Sequence, residues 1–165
     1  MTAQTVNTHF MHRASTEIKR QLFGEFREGE ESETGERISV LVVEDETSMR
    51  LAYAHLFRDR ELRHCNIEFA DSVNQAMALI ATRCFDVAIL DYRLGDGTSA
   101  DLVRWWREYG YDLPFICVSG YLESDATTTR LGSVGFIHKA DLNAEQLARI
   151  IRVAIGEFWR KRAAA

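Results

Sequence analysis

The chain has no apolar run near the ~18–20 residues that a membrane-spanning helix needs, and no apolar stretch behind its first residues of the kind a secretory signal carries. Neither a membrane span nor a signal peptide is expected. Basic residues are in deficit: 20 Lys and Arg stand against 25 Asp and Glu, for a formal charge of −5. A nucleic-acid binder needs a basic patch or stripe, so this balance argues against nucleic acid as a partner. Cysteine is scarce. Cys65, Cys84 and Cys117 are odd in number and lack metal-ligand spacing, a pattern that suits a reducing cytoplasm. Cys117 sits inside an apolar run and reads as a small core residue. Proline is rarer still. Pro114 stands alone, just before an apolar run, where a missing N–H is tolerated. There is no internal repeat. A chain of 165 residues fits one domain with something appended, and a core of that size needs no disulfide or structural metal.

What is present is a rhythm. From Ile38 onward, short apolar stretches alternate with helix-length amphipathic ones. Strands are expected at about 38–43, 67–69, 86–90, 114–119 and 135–138. Helices are expected at about 47–57, 73–82, 99–109, 123–131 and 144–160. Ser72 is a plausible N-cap for the second helix, and Asn143 or Asp141 for the last. Ala-Thr-Thr-Thr-Arg makes the fourth helix the weakest, because β-branched residues have poor helix propensity. On the third helix, Leu102, Trp106 and Tyr109 fall on one face, expected to be core. Trp105 falls with Asp101 and Glu108 on the polar face, where it would meet a partner. Strands alternating with helices imply an α/β fold, a doubly wound parallel sheet with right-handed crossovers. The flavodoxin-like (βα)5 arrangement with strand order 2-1-3-4-5 is expected.

In such a sheet, side chains at the carboxyl ends of neighbouring strands converge on one crevice. Here those ends carry Glu44 and Asp45, then Asp91, then Ser119, then Lys139. Three carboxylates, one hydroxyl and one ammonium suit a Mg²⁺ ion and a phosphoryl group. Mg²⁺ takes oxygen ligands and bridges to phosphate. A carboxylate such as Asp91 can attack phosphorus to form an acyl phosphate. Phosphoryl transfer is mostly positioning and charge neutralisation, which Mg²⁺ and Lys139 can supply. Backbone N–H groups of Tyr92 and Arg93 could add donors. Taken singly, each residue has an ordinary reading as cap, turn former or solvated surface. Their combination at successive strand ends, in this order, is what carries the chemistry.

This set resembles the receiver domain of two-component response regulators, over residues 38 to about 160. By that resemblance the acidic pair is Glu44 and Asp45, with Glu in the first place, and Asp91 is the phosphoacceptor. Leu94-Gly95-Asp96-Gly97 resembles the loop that follows it. Ser119 is the hydroxyl residue, Gly120 the small residue after it, Phe136 the switch aromatic and Lys139 the lysine. The resemblance further implies that Mg²⁺ is held by Glu44, Asp45, Asp91 and the backbone carbonyl of Arg93. Arg93 and Tyr121 would border the path of the attacking water and modulate dephosphorylation, together with Gly120. A sensor histidine kinase or phosphotransfer protein would be the donor. The chain would be no enzyme beyond self-phosphorylation from small donors and autodephosphorylation. It departs from the family in having Ala140 rather than Pro after the lysine, Gly95 rather than Pro in the loop, and Phe136 rather than Tyr. A non-proline cis bond costs about 2.5–4 kcal/mol, so the Lys139–Ala140 bond is either trans or strained.

Residues 1–36 differ from the rest. Phe10, Ala14, Ile18, Leu22 and Phe26 recur every fourth position, predicting an amphipathic helix over about 8–26. Residues 27–36 read as a flexible acidic linker. The division expected is an N-terminal extension, 1–36, and a receiver, 37–162. The helix would pair two chains as a homodimer or dock on its own receiver. A stand-alone receiver is the first reading, since no output domain follows the last helix. The alternatives are an aspartyl-phosphate-forming hydrolase and the regulatory part of a longer multidomain regulator. Such hydrolases usually need a second acid two residues after the nucleophile, where this chain has Arg93. A flavodoxin-like cofactor binder would need a phosphate-cradling loop after the first strand, and Glu-Asp-Glu-Thr-Ser is too acidic for that.

Overall fold

The computed structural model describes residues 37–120 and 123–163. The expected helix at 8–26, the acidic linker at 27–36 and Tyr121 lie outside the described residues. Strands β1 (Ile38–Val43), β2 (Cys65–Ala70), β3 (Val87–Leu90), β6 (Phe115–Ser119) and β7 (Gly135–His138) form a parallel sheet. Their order is β2-β1-β3-β6-β7, which is 2-1-3-4-5 counted over these five strands. Between β3 and the third helix, β4 (Arg93–Leu94) and β5 (Gly97–Thr98) form a small antiparallel ribbon. The helices are α1 (Thr47–Leu56), α2 (Val73–Thr82), α3 (Ser99–Glu108), α4 (Glu123–Arg130) and α5 (Ala144–Ala163). Among the described residues, no helix is long and apolar enough to cross a membrane.

The strands read as continuous apolar runs because both faces are covered. Along β1, Val40 and Val42 face one core with Tyr53, Leu147 and Ile151, from α1 and α5. Leu41 and Val43 face the other, with Ile80, Leu102 and Trp106 from α2 and α3. Each fully buried Leu or Ile stabilises the fold by about 1.5–3 kcal/mol. Helix starts are fixed by side chains. Ser72 accepts from the Gln75 N–H at 3.2 Å, and Asn143 Oδ1 from the Gln146 N–H at 2.9 Å, as the sequence suggested. Thr98 and Asp101 form a reciprocal capping box at the start of α3.

Several expectations need correction. Strand β2 is twice the expected length, because β1 pairs along it from Ile38↔Cys65 to Val43↔Ala70. Tyr109 is not core. Helix α3 ends at Glu108, the C-cap Tyr109 leaves the helical path, and its ring is 62% exposed. Trp106 is buried, edge-on to Phe115 at 5.5 Å, as expected. Trp105 is half-buried rather than free: it stacks on Tyr111 at 5.5 Å and lies tilted to Tyr109 at 5.3 Å. The weak fourth helix does form. No cis peptide occurs among the described residues, so the Lys139–Ala140 bond is trans.

Candidate functional site

The site lies at the carboxyl edge of the sheet. Register pairs Val43 with Leu90, so Glu44 and Asp91 each stand one step past a shared rung. Their amides continue the ladder: Glu44 N–H donates to Ala70 O at 2.9 Å and Asp91 N–H to Val43 O at 2.9 Å. Both side chains are buried, whereas Asp45 is exposed. Each of the three carboxylates offers an oxygen within 4.8 Å of the others.

Lys139 reaches this cluster from the short 3-10 turn after β7. Its Nζ donates to Asp91 Oδ2 at 2.7 Å and to Glu44 Oε1 at 3.1 Å. Glu44 Oε2 is also close, 2.9 Å from Nζ, but the angle gives no hydrogen bond, so this buried oxygen is ion-paired without a donor. Burial pushes the Glu44 carboxyl above its ordinary range, against the opposing pull of the Lys139 hydrogen bond. Burial alone would lower the Lys139 ammonium. The hydrogen bonds to Asp91 and Glu44, with their charge, outweigh it and hold Lys139 above its usual value. Three oxygen-bearing groups around a buried carboxylate oxygen that lacks a donor fit a hard divalent cation.

Ser119 ends β6 and is fully buried. The β3–β6 register pairs Leu90 with Cys117, so Asp91 and Ser119 come off neighbouring strands at the same edge. Gly120 follows, exposed, and a Cβ there would meet nothing within 4 Å. Phe136 is half-buried opposite Cys117 in the β6–β7 seam. Arg93 lies exposed on β4. The sheet thus brings together Glu44, Asp45, Asp91 and Lys139, with Ser119 beside them.

Two contributors were not foreseen from the sequence. Arg50, one turn into α1, donates to the carbonyls of Glu44 at 2.8 Å and Asp45 at 2.7 Å, and to Thr47 Oγ1 at 3.0 Å. It pins the backbone that presents the acidic pair. Asp96, at the tip of the β4–β5 ribbon, accepts from the Val73 N–H at 2.7 Å and the Asn74 N–H at 3.0 Å. It thereby fastens the loop after Asp91 to the start of α2. The Asp-Gly pair at 96–97 is a turn signal that could have pointed to the ribbon.

Residues 40–152 match the family model described as the response regulator receiver domain. The acid tolerance regulatory protein ActR of Sinorhizobium medicae (strain WSM419) is 30% identical over 116 residues, which are 69% of this chain and 58% of ActR. The photosynthetic apparatus regulatory protein RegA of Rhodovulum sulfidophilum is 31% identical over 117 residues, 69% of this chain and 62% of RegA. The chain therefore spans less than two thirds of the length of these relatives. A solved response regulator receiver protein from Pseudomonas putida is 26% identical, with a TM-score of 0.61, covering 70% of this chain and 95% of that one. With the sheet order, the acidic cluster and a family match over most of its length, the chain belongs to the response regulator receiver family.

Proposed function

We propose that the chain accepts a phosphoryl group on Asp91 and signals through a change in its surface and its protein contacts. The observation that carries this reading is the Lys139 ammonium held between Asp91 and Glu44 inside a three-carboxylate cluster. An Asp91 oxygen attacks phosphorus, the new O–P bond forms as the donor's bond to phosphorus breaks, and the donor leaves with the electron pair. The donor is a phosphohistidine of a sensor histidine kinase or phosphotransfer protein. Glu44, Asp45, Asp91 and the Arg93 carbonyl would hold Mg²⁺, which when bound neutralises carboxylate and phosphoryl charge. Lys139 adds a fixed positive charge, and Ser119 a hydroxyl donor on the adjacent strand.

Arrival of the group draws Ser119 inward, and Phe136 turns into the space left, a two-state population shift. By the family resemblance, Arg93, Gly120 and Tyr121 would tune the lifetime of the phosphoryl group. Residues 1–36 form an extension to a receiver at 37–162, and the stripe at 8–26 pairs two chains or docks on the receiver. ActR and RegA are named as regulators of acid tolerance and of the photosynthetic apparatus. By analogy the chain regulates a downstream process.

The test is incubation with acetyl phosphate and Mg²⁺, followed by intact mass or Phos-tag mobility. Wild type gains one base-labile phosphoryl group. Asp91→Asn, or EDTA, abolishes it. A normal yield from either would sink the reading.

A further inference from the structure

We propose that His138 is a positioning residue: its ring latches the loop after β6 to the turn after β7 and restrains the shift of Ser119. The proposal rests on the receiver reading above. His138 is the last residue of β7, half-buried, between Ile137 in the core and Lys139 in the site. Its Nδ1 lies 3.3 Å from Ala140 N, and its Nε2 lies 3.1 Å from Gly120 O. A backbone N–H can only donate and a carbonyl can only accept. The partners therefore assign the ring: Nδ1 is the bare acceptor, and Nε2 carries the proton and donates to Gly120. One neutral side chain joins Gly120, next to Ser119, to Ala140, next to Lys139.

The direction of the restraint follows from topology. Strand β6 lies between β3, which carries Asp91, and β7. The last rung of the β6–β7 ladder is Ser119↔His138. The bond from His138 to Gly120 continues that seam one residue past the ladder and holds Gly120 on the β7 side. Movement of Ser119 toward a group on Asp91 draws Gly120 away from β7, and the bond lengthens or breaks. Ala140 is the enabling residue. Proline there would have no N–H to give, and Nδ1 would lose its partner.

A contact present only before phosphorylation opposes binding of a phosphoryl group or its mimic by the same factor with which that group opposes the contact. Removing it tightens the mimic roughly two- to tenfold, the range for one hydrogen bond. The experiment uses the full chain with beryllofluoride in saturating Mg²⁺, read by calorimetry, with Mg²⁺ affinity and melting temperature measured alongside. His138→Ala is expected to tighten beryllofluoride by that factor while Mg²⁺ affinity stays unchanged. His138→Gln, whose amide can again donate to Gly120, returns the affinity toward wild type. In wild type, the Nε2 signal of His138 should shift when beryllofluoride is added. Unchanged or weaker beryllofluoride binding in His138→Ala overturns the latch, as does a failure of Gln to reverse the effect or an Nε2 signal that does not move. No beryllofluoride binding by wild type overturns the receiver reading itself, and the latch with it.

Discussion

The connection after β3 and the connection after β6 both leave the site edge, yet they are secured in opposite ways. After β3, the chain folds into a ribbon whose tip, Asp96, grips two amides of α2 and whose end, Thr98, caps α3. After β6, the Gly120 carbonyl is held by a side-chain hydrogen bond from the next strand, and a Cβ at Gly120 would meet open space. One wall of the site is built into two helices. The described part of the other, Gly120, is joined to its neighbouring strand by a side-chain hydrogen bond and has room around its Cα. A phosphoacceptor needs both: the first to hold the acceptor and its charges in place, the second to report the change.

The contrast is broken most severely by Trp106→Ala. This ring is buried under the fixed wall, edge-on to Phe115, and its loss should cost on the order of 3–5 kcal/mol. Urea unfolding monitored by far-UV dichroism gives the number. A cost under about 1 kcal/mol would mean that the core beneath α3 is not what supports that wall.

Asp96→Ala should cost less, about 1 kcal/mol for a lost helix cap. Its carboxyl is held below its ordinary value of 3.8 by the Asn74 amide first and the Val73 amide next. As pH falls, the unfolded chain therefore takes up this proton before the folded one. The stabilisation is whole above the ordinary value and fades as pH drops through the lowered native one. The stability difference between wild type and variant should be flat near neutrality and shrink in acid. A difference that grows in acid would reverse the assignment.

The smallest effects sharpen the comparison through two glycines. At Gly97, a Cβ would sit 3.3 Å from Val73 Cγ2 and 3.5 Å from Asp101 Oδ2. At Gly120 it would touch nothing within 4 Å. Gly97→Ala should therefore destabilise by about 1 kcal/mol, in the range for overpacking. Gly120→Ala should be neutral or stabilise by a few tenths, since alanine narrows the unfolded ensemble. Thermal melts of the two variants side by side are enough. Equal losses would show that the two walls are equally tight.

Much of this was legible in the sequence because strand ends announce themselves. A β-branched run that stops at a carboxylate or a lysine marks both the strand and the edge where its last side chain emerges. That is why the places of Asp91 and Lys139 at the sheet edge, with Ser119 at the end of β6, were legible together with the sheet order. Arg50 and Asp96 were missed for a different reason. Each acts on a main chain that only the fold brings near, and Asp96 reaches back to Val73. Tyr109 was misplaced because helical spacing was extended one residue beyond the helix. The length of β2 was set by its pairing with β1 rather than by its own residues, of which only Ile67 to Phe69 read as strand.

Among the described residues, the same strand β2 is an outer strand of the sheet, and an unpaired edge invites a second chain to add a strand. Here Glu68 is bridged to Arg83 at 2.6 Å, and Asn66 accepts from Arg37 at 3.2 Å. A chain docking on that edge would have to strip water from charged groups and from the ends of two arginines. Within the described residues, charge at this edge works against edge-to-edge aggregation, so a charge-removing change at Glu68 should be felt first as lost solubility at high concentration rather than as lost signalling.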